Sequence, residues 1–343
     1  MIVWSVAERI AATIAGDPAV PARLPGDLAD IGERAAAAVV QTTGLTPQRP
    51  LPAIDAVTRA QWARANVTIM KATVAPLEGK LDEQAGKLPG PLKTAAGSVI
   101  AAEAGALLGY MGRRVLGQYE VILSAEEVGE PRLLLVAPNL CDAAQRLNVP
   151  LDELVTWVTV HEVTHAVQFS AAPWLRAHLA GLMAQFFEEA DVQLDARRLM
   201  AIRSIDDLRG IWENARTTGV IALLAGTDRA SLLDQIQAAM ALVEGHAEHV
   251  MDAAGAQLLD DLPRLRGALD HSRTDRNPLA AMLERLLGME MKLRQYREGR
   301  VFCDAVVGEA GMAALNRAFE RAEHVPTLAE LRDPPSWISR VAA

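Results

Sequence analysis

Residues 156–170 read TWVTVHEVTHAVQFS, and this stretch holds two histidines four positions apart, His161 and His165. In an α-helix, residues i and i+4 lie one turn apart on the same face, so both imidazoles can point at a single metal ion. Glu162 lies about 100° around the helix from His161, which places its carboxylate beside such an ion, where it can hold a water molecule. The spacing therefore predicts a zinc-binding helix that carries its own general base.

The sequence around the motif favours a helix. Asn148 is expected to cap its start, Pro150 suits the first turn, and Asp152 and Glu153 complement the helix dipole. The helix is expected to end near residue 170, since a proline follows at position 173. A buried or exposed histidine pair without a metal is the alternative interpretation of the motif.

A third ligand has to come from elsewhere, because catalytic zinc usually has three protein ligands and one open position. In the downstream stretch ALVEGHAEHVMDAAG, Glu244, Glu248 and Asp252 fall on one helical stripe. We expect Glu244 to be the third ligand, and a second acid of the stripe to orient a ligand histidine. His246, Glu248 and His249 are the alternative ligands, and a solvated acidic face is the alternative without a metal.

The composition predicts a mainly α fold with a small β element. Half of the 343 residues are hydrophobic and only 4% are aromatic, which favours closely packed helices. A net charge of −9 without a long Lys/Arg run argues against a nucleic-acid partner. No uncharged apolar run is long enough to span a bilayer, and Cys141 and Cys303 are expected to be buried thiols in a reducing compartment. We therefore expect a cytoplasmic protein without a membrane partner.

The order of elements is consistent with one domain over residues 1–343. Two short stretches, GQYEVIL and PRLLLVAP, are predicted to be the strands of a hairpin, and the chain after the motif helix is expected to be helical to about residue 321. The earlier helices are predicted at about 2–16, 27–43, 57–87 and 91–115. The expected parts are an N-terminal helical part at about 1–115, a metal-site core at about 116–255 and a C-terminal helical part at about 256–343.

Several stretches together resemble a known family. HEVTH followed far downstream by EGHAEH is similar to the glutamate-type zincins, in which a helix bearing Glu-Gly supplies the third ligand. More narrowly, the chain resembles a zincin-like family of actinobacteria and Chloroflexi named as hydrolases or metallopeptidases, one branch of which is associated with biosynthesis of a deazaflavin coenzyme. The matching stretches include QWARANVTIM, RRVLGQYEV, LLLVAPNL, TWVTVHEVTHAVQFSAAPWLRAHL, LVEGHAEHVMD, MKLRQYREGRVF and VPTLAELRDPPSWISRV.

The resemblance implies a zincin-like fold with large helical additions, metal ligands at His161, His165 and Glu244, and Glu162 as the base. Glu244 follows His165 by 79 positions (244 − 165), a far longer gap than in thermolysin-like enzymes. A helical insertion is expected to fill this gap, and residues 175–240 could cover the cleft.

The expected reaction is hydrolysis of a peptide or amide bond. A zinc ion would acidify its bound water and polarise a carbonyl, while Glu162 would move the proton to the leaving amine. His246 and Tyr296 are candidate catalytic donors to the oxyanion, with Tyr110 and Tyr119 as alternatives. The stretch PRLLLVAP is a candidate to hold an extended peptide by strand addition.

Two other functions fit the same residues. One is a non-catalytic binding or scaffold protein that keeps the zincin fold. The other is a hydrolase of a small amide linked to deazaflavin coenzyme metabolism, for which a closed pocket rather than an open groove is expected. The expected partner is a peptide or a small amide substrate, and the sequence does not specify the oligomeric state.

Overall fold

A computed structural model describes residues 2–86, 89–121, 130–189, 230–272 and 294–342. Helices dominate these ranges, and the few strands are short, which confirms the expected fold class. The helices are α1 (Trp4–Ala15), α2 (Leu28–Thr43), α3 (Arg59–Thr73), α4 (Ala75–Ala85), α5 (Gly90–Gly112), α6 (Ala137–Leu147), α7 (Leu151–Ala171), α8 (Pro173–Glu188), α9 (Ala230–Gly255), α10 (Leu262–Ser272), α11 (Arg294–Ala310), α12 (Met312–Asn316), α13 (Leu328–Arg332) and α14 (Pro334–Trp337). The strands are β1 (Ile54–Val57), β2 (Gly117–Tyr119) and β3 (Leu133–Val136).

The three strands form one sheet in the order β1-β3-β2. β2 runs antiparallel to β3, as the hairpin prediction requires, although the connection at 122–129 lies outside the described residues. β1 runs parallel to β3 and was not predicted from the sequence. A parallel pairing between segments about 80 residues apart leaves no local signal, whereas a hairpin does. All four residues of β3 are buried, so β3 is the centre of the sheet.

Other boundaries differ from the prediction. The helix expected at 57–87 begins at Arg59 and is divided at Val74 into α3 and α4. The stretch after β3 turns at once into α6, with Pro138 in its first turn. Asn148 does not cap the start of α7. It ends α6 in a left-handed conformation with φ 54°, a role that asparagine tolerates well, and Pro150 precedes α7 instead.

The motif helix α7 lies at the centre of the described structure. Fourteen of its 21 residues are buried, on several of its faces, as expected for a helix covered from all sides. It packs against α2, α6, α8 and α9 and against strands β2 and β3. This burial holds the histidine pair on a fixed frame rather than on an exposed loop.

One described helix is long and apolar enough to cross a membrane, the stretch Lys93–Gly112 within α5. Half of this stretch is buried inside the protein, as in core helices of soluble proteins. Its main neighbours are α1 and α3. The cytoplasmic location remains a prediction.

Candidate metal centre

His161 and His165 lie one turn apart on α7 with their rings nearly perpendicular, at 87°, in an edge-to-face arrangement. The two Nε2 atoms are 3.2 Å apart and the ring centroids 4.7 Å apart. His165 is buried and His161 keeps a 19% exposed side chain, the most open position of the group. The i, i+4 spacing therefore brings both imidazoles to one point, as predicted from the sequence.

Glu244 reaches the same point from α9. Its Oε2 atom lies 3.6 Å from Nε2 of His165 and 3.9 Å from Nε2 of His161. The candidate ligand atoms of the three residues lie within 4.8 Å of one another, and the carboxylate is buried. Within the described ranges, no other group of three His, Cys, Asp or Glu residues comes together in this way. α9 thus presents the residue that the sequence ranked first.

A close crossing of helices holds this part of α9. Gly245, next to Glu244, lies against Gly299 of α11, and a Cβ on Gly245 would overlap the backbone of Gly299. Conversely, a Cβ on Gly299 would overlap the carbonyl group of Ala241. Only glycine lets two helices approach this closely. The contact between Gly245 and Gly299 therefore fixes the position of Glu244 relative to α11.

The donor set fits zinc. Two zinc-bound nitrogens in a tetrahedral site, each at the usual bond length, lie about 3.3 Å apart. The 3.2 Å between the two Nε2 atoms matches this value. Two imidazoles and one carboxylate are also a ligand set that catalytic zinc sites use. A buried carboxylate facing one buried and one partly exposed imidazole requires a counter-charge, which a protonated His165 or a divalent cation can supply.

The charges within the group determine which histidine is protonated. Burial lowers the pKa of His161 to about 4, reinforced by the charge of His165. Burial also opposes protonation of His165, but the charge and hydrogen bond of Glu244 outweigh it and raise its pKa to about 9. His165 is therefore the cationic partner of Glu244, and a metal ion would replace the Nε2 proton, as metal binding generally does.

Glu162 lies beside this group, tied to the sheet. Its Oε2 accepts a hydrogen bond of 2.7 Å from the backbone N–H of Tyr119 in β2. Hydrogen bonds between β2 and β3 are made by alternate residues of β2, and Tyr119 lies between two of them. Its N–H therefore points away from β3. A Cβ on Gly117 would lie 2.7 Å from Val158 and 2.9 Å from Cγ of Glu162, so the glycine leaves room for the carboxylate. Burial raises the pKa of Glu162 to about 7.

Gln168 connects the two ligand helices and was not singled out from the sequence. Its Oε1 lies 2.9 Å from Nδ1 of His165, and its Nε2 donates to the Val243 carbonyl at 2.9 Å. The same Nε2 lies 2.8 Å from Nδ1 of His246. The i, i+3 spacing between His165 and Gln168 is compatible with this contact, although an acidic partner was the expectation for a ligand histidine.

His246 is fully buried behind Gln168 rather than beside the ligand atoms. Its ring packs edge-to-face on Phe319, with centroids 4.8 Å apart. Burial lowers its pKa to about 3, so the ring is neutral. This position favours a supporting role over the direct catalytic role that the sequence suggested.

The other acids of the α9 stripe do not orient the histidines. Glu248 and Asp252 pair with Arg266 of α10 and Arg300 of α11. His249 contacts Asp304 of α11 at 2.6 Å. The expectation of a second acid behind a ligand histidine is therefore wrong. Its physical reason is that arginines on neighbouring helices, which spacing within α9 cannot reveal, satisfy these acids.

The second nitrogen of His161 has an unusual neighbour. Nδ1 lies 2.9 Å from the sulfur of Met251, about two helical turns after Glu244 on α9. A thioether is a weak acceptor, whereas metal-bound histidines commonly contact carboxylates or carbonyls through this nitrogen. His161 is thus less firmly oriented than His165.

The tyrosine candidates separate in position. Tyr110 lies on the exposed side of α5 under the guanidinium of Arg114, 3.7 Å from the ring centre. Tyr119 is buried against Phe169, and burial raises the pKa of its phenol to about 12. Tyr296 belongs to α11, but its side chain lies outside the described part of the chain.

Two further expectations need correction. PRLLLVAP cannot hold a substrate strand, because both edges of β3 are already paired, with β1 and β2. Cys303 is buried as predicted, but Cys141 is only half-buried, on α6 away from the ligand group. The expected insertion at 175–240 falls mostly on residues outside the description.

Comparison with known proteins identifies the class. Residues 2–338 match the zincin-like metallopeptidase family, and the chain therefore belongs to that family. It is also similar over 99% of its length to a protein of known crystal structure from Chloroflexus aurantiacus, described as a putative hydrolase with a novel fold. The two are 28% identical, with a TM-score of 0.73 and 98% of that chain covered. Among proteins with curated functions, none matches this chain. The resemblance inferred from the sequence is thus confirmed, and the family implies a hydrolase with a metal ion, typically zinc.

Proposed function

We propose that the chain is a zinc-dependent hydrolase of peptide or amide bonds, with zinc held by His161, His165 and Glu244 and with Glu162 as general base. The observation that carries the proposal is the convergence of the three ligand atoms within 4.8 Å beside a buried carboxylate. Membership of a metallopeptidase family supports the same chemistry. A zinc ion at this position would acidify water and polarise a substrate carbonyl.

Glu162 would carry out the proton transfers of the reaction. Oε2 of Glu162 accepts from the Tyr119 N–H, which leaves Oε1 to take the proton of the attacking water. The Glu162 carboxyl can hold that proton and then donate it to the departing nitrogen. The Tyr119 N–H fixes the carboxylate throughout, so the base needs no reorientation between the two transfers.

A small amide is the second candidate substrate, and burial favours it. Glu162, Glu244 and all three residues of β2 are buried, and β3 is paired on both edges. An extended peptide needs an open strand edge, whereas a compact amide needs only access past the partly exposed His161. The link to deazaflavin coenzyme metabolism belongs to this second candidate and rests on the family resemblance alone.

Metal analysis of matched variants tests the site. Wild type purified without added metal is expected to hold near-stoichiometric zinc, and Glu244→Ala is expected to lose it. Glu248→Ala is the control, since Glu248 lies one turn further on α9 and pairs with Arg266. Loss of zinc in the control alone, or a wild type without zinc, would contradict the proposal.

Hydrolysis is tested separately from binding. Glu162→Gln keeps the size of the side chain and the acceptor for Tyr119 but cannot take a proton, so zinc is expected to remain while turnover falls by about 100-fold or more. Substrates would be a proteome-derived peptide mixture and a panel of small amides, both read by mass spectrometry. Full zinc with no hydrolysis of either set would favour the non-catalytic binding protein.

A further inference from the structure

The orientation of the Gln168 amide is fixed by one backbone group. A carbonyl oxygen can only accept, so the atom that faces the Val243 carbonyl at 2.9 Å must be the amide nitrogen. The amide oxygen then faces Nδ1 of His165 at 2.9 Å. An oxygen cannot donate, so Nδ1 of His165 must carry a proton. This leaves Nε2, which points towards Glu244, as the nitrogen that can bind a metal.

The second N–H of the Gln168 amide faces His246. The amide nitrogen of Gln168 donates to Nδ1 of His246 at 2.8 Å, so this nitrogen is the acceptor and the proton of the neutral ring is on Nε2. That Nε2 is buried and has no hydrogen-bond partner among the described residues. His246 therefore accepts the second N–H of the Gln168 amide, whose orientation the Val243 carbonyl fixes.

We propose that Gln168 is a positioning residue, which presents His165 to the metal in the Nδ1-protonated tautomer and ties α7 to α9 one residue before the ligand Glu244. The inference rests on the proposed metal site. The Val243 carbonyl sets the orientation of the Gln168 amide, and the amide oxygen in turn sets which nitrogen of His165 carries the proton. The buried Gln168, with no exposed surface, is shielded from competing water. A ligand histidine held in this way needs no carboxylate behind it.

Two variants separate the role of the Gln168 oxygen, which accepts from Nδ1 of His165, from the packing and donor roles of this side chain. Gln168→Met and Gln168→Glu have similar size, and both lose the two donated hydrogen bonds. Only the glutamate keeps an oxygen acceptor for Nδ1 of His165. The zinc dissociation constant, measured by competition with a chromophoric chelator, is expected to rise about 10- to 100-fold in Gln168→Met and to stay much closer to wild type in Gln168→Glu. Gln145→Met, at an exposed glutamine of α6, is the matched control and should bind zinc as wild type does.

The cobalt-substituted proteins add a spectroscopic signature. The visible absorption bands report ligand geometry, and they are expected to shift in Gln168→Met and to remain close to wild type in Gln168→Glu. Equal zinc dissociation constants for the methionine and glutamate variants would overturn the proposal, since a purely packing role does not distinguish them. A wild type that binds no zinc would overturn the proposed function as well, so the two failures are distinguishable.

Nuclear magnetic resonance on the wild type avoids any dependence on the folding of the variants. In zinc-loaded protein with 15N-labelled histidine, long-range 1H–15N spectra distinguish a protonated from a metal-bound ring nitrogen. Protonated Nδ1 and metal-bound Nε2 in His165 are expected. The opposite assignment would overturn the proposal.

Discussion

Gly245 of α9 lies directly against Gly299 of α11, and a Cβ on either glycine would overlap the backbone of the other helix. The contact is adjacent to Glu244, so it helps to fix the position of this proposed metal ligand. Gly299→Ala is expected to destabilise the protein by about 3 kcal/mol or more, because the overlap is with backbone that cannot turn aside. The free energy of unfolding in urea measures this.

Gly308 on the same helix provides the control. A Cβ at this position meets nothing within 4 Å, so Gly308→Ala is expected to stabilise the protein by roughly 0.5 kcal/mol through helix propensity alone. Equal effects of the two substitutions would mean that the helices separate easily and that the contact does not fix Glu244.

Gly117→Ala tests whether the missing side chain at position 117 provides the space that the Glu162 carboxylate occupies. The added methyl group would press on Val158 and on Cγ of Glu162, which is expected to cost about 1–3 kcal/mol of stability. In a Glu162→Ala background the cost should fall by about 1 kcal/mol, because one of the two clashes is removed. Gly181→Ala, at an open position of α8, is the control. A double-mutant cycle without coupling would show that Gly117 does not act through Glu162.

Removal of the metal ion is expected to lower the stability of the folded protein, because the ion binds only the folded state. A ligand that binds only the folded state at a thousand times its dissociation constant stabilises it by about 4 kcal/mol. Chelator is therefore expected to lower the melting temperature of the zinc-loaded wild type and to leave Glu244→Ala unchanged. A chelator effect of equal size in Glu244→Ala would place the metal elsewhere.

The carboxyl-terminal helices contain a pH-dependent contact. Burial opposes ionisation of Glu330, but hydrogen bonds from Arg340 and Thr327 outweigh it and hold its pKa below the usual range. A lowered pKa stabilises the folded state above the unfolded value, near 4.3, and this contribution disappears as the pH falls through the folded value. Glu330→Gln should therefore cost about 1–2 kcal/mol at pH 7 and progressively less below pH 4. Urea unfolding across this range tests it, and a constant difference would contradict the assignment.

The sequence predicted what local spacing encodes. The histidine pair, the base beside it and the helical character of the chain follow from periodicity and from a five-residue motif. The acidic stripe and its apolar neighbours favour Glu244 as the third ligand, and the family resemblance implies the same residue. β1 could not be found, because its partner β3 is distant in sequence and the pairing is parallel. The partners of Glu248 and Asp252 were equally hidden, since Arg266 and Arg300 come from other helices. Gln168 was visible at i, i+3 but does not belong to the acidic residue types expected in that role.

The packing of α2 has a consequence for synthesis of the chain. Its buried face, made of Ile31, Ala35, Ala38, Val39 and Thr43, packs against α7 and α9. α9 begins 187 positions after α2 ends (230 − 43), which at ribosomal rates corresponds to about 10–40 s. α7 begins 108 positions after α2 ends (151 − 43) and can cover part of this face earlier, but the part that packs against α9 stays exposed for the full interval. The nascent chain is therefore a natural client for chaperones, and slow or truncated translation should send it to aggregates rather than to a stable amino-terminal fragment.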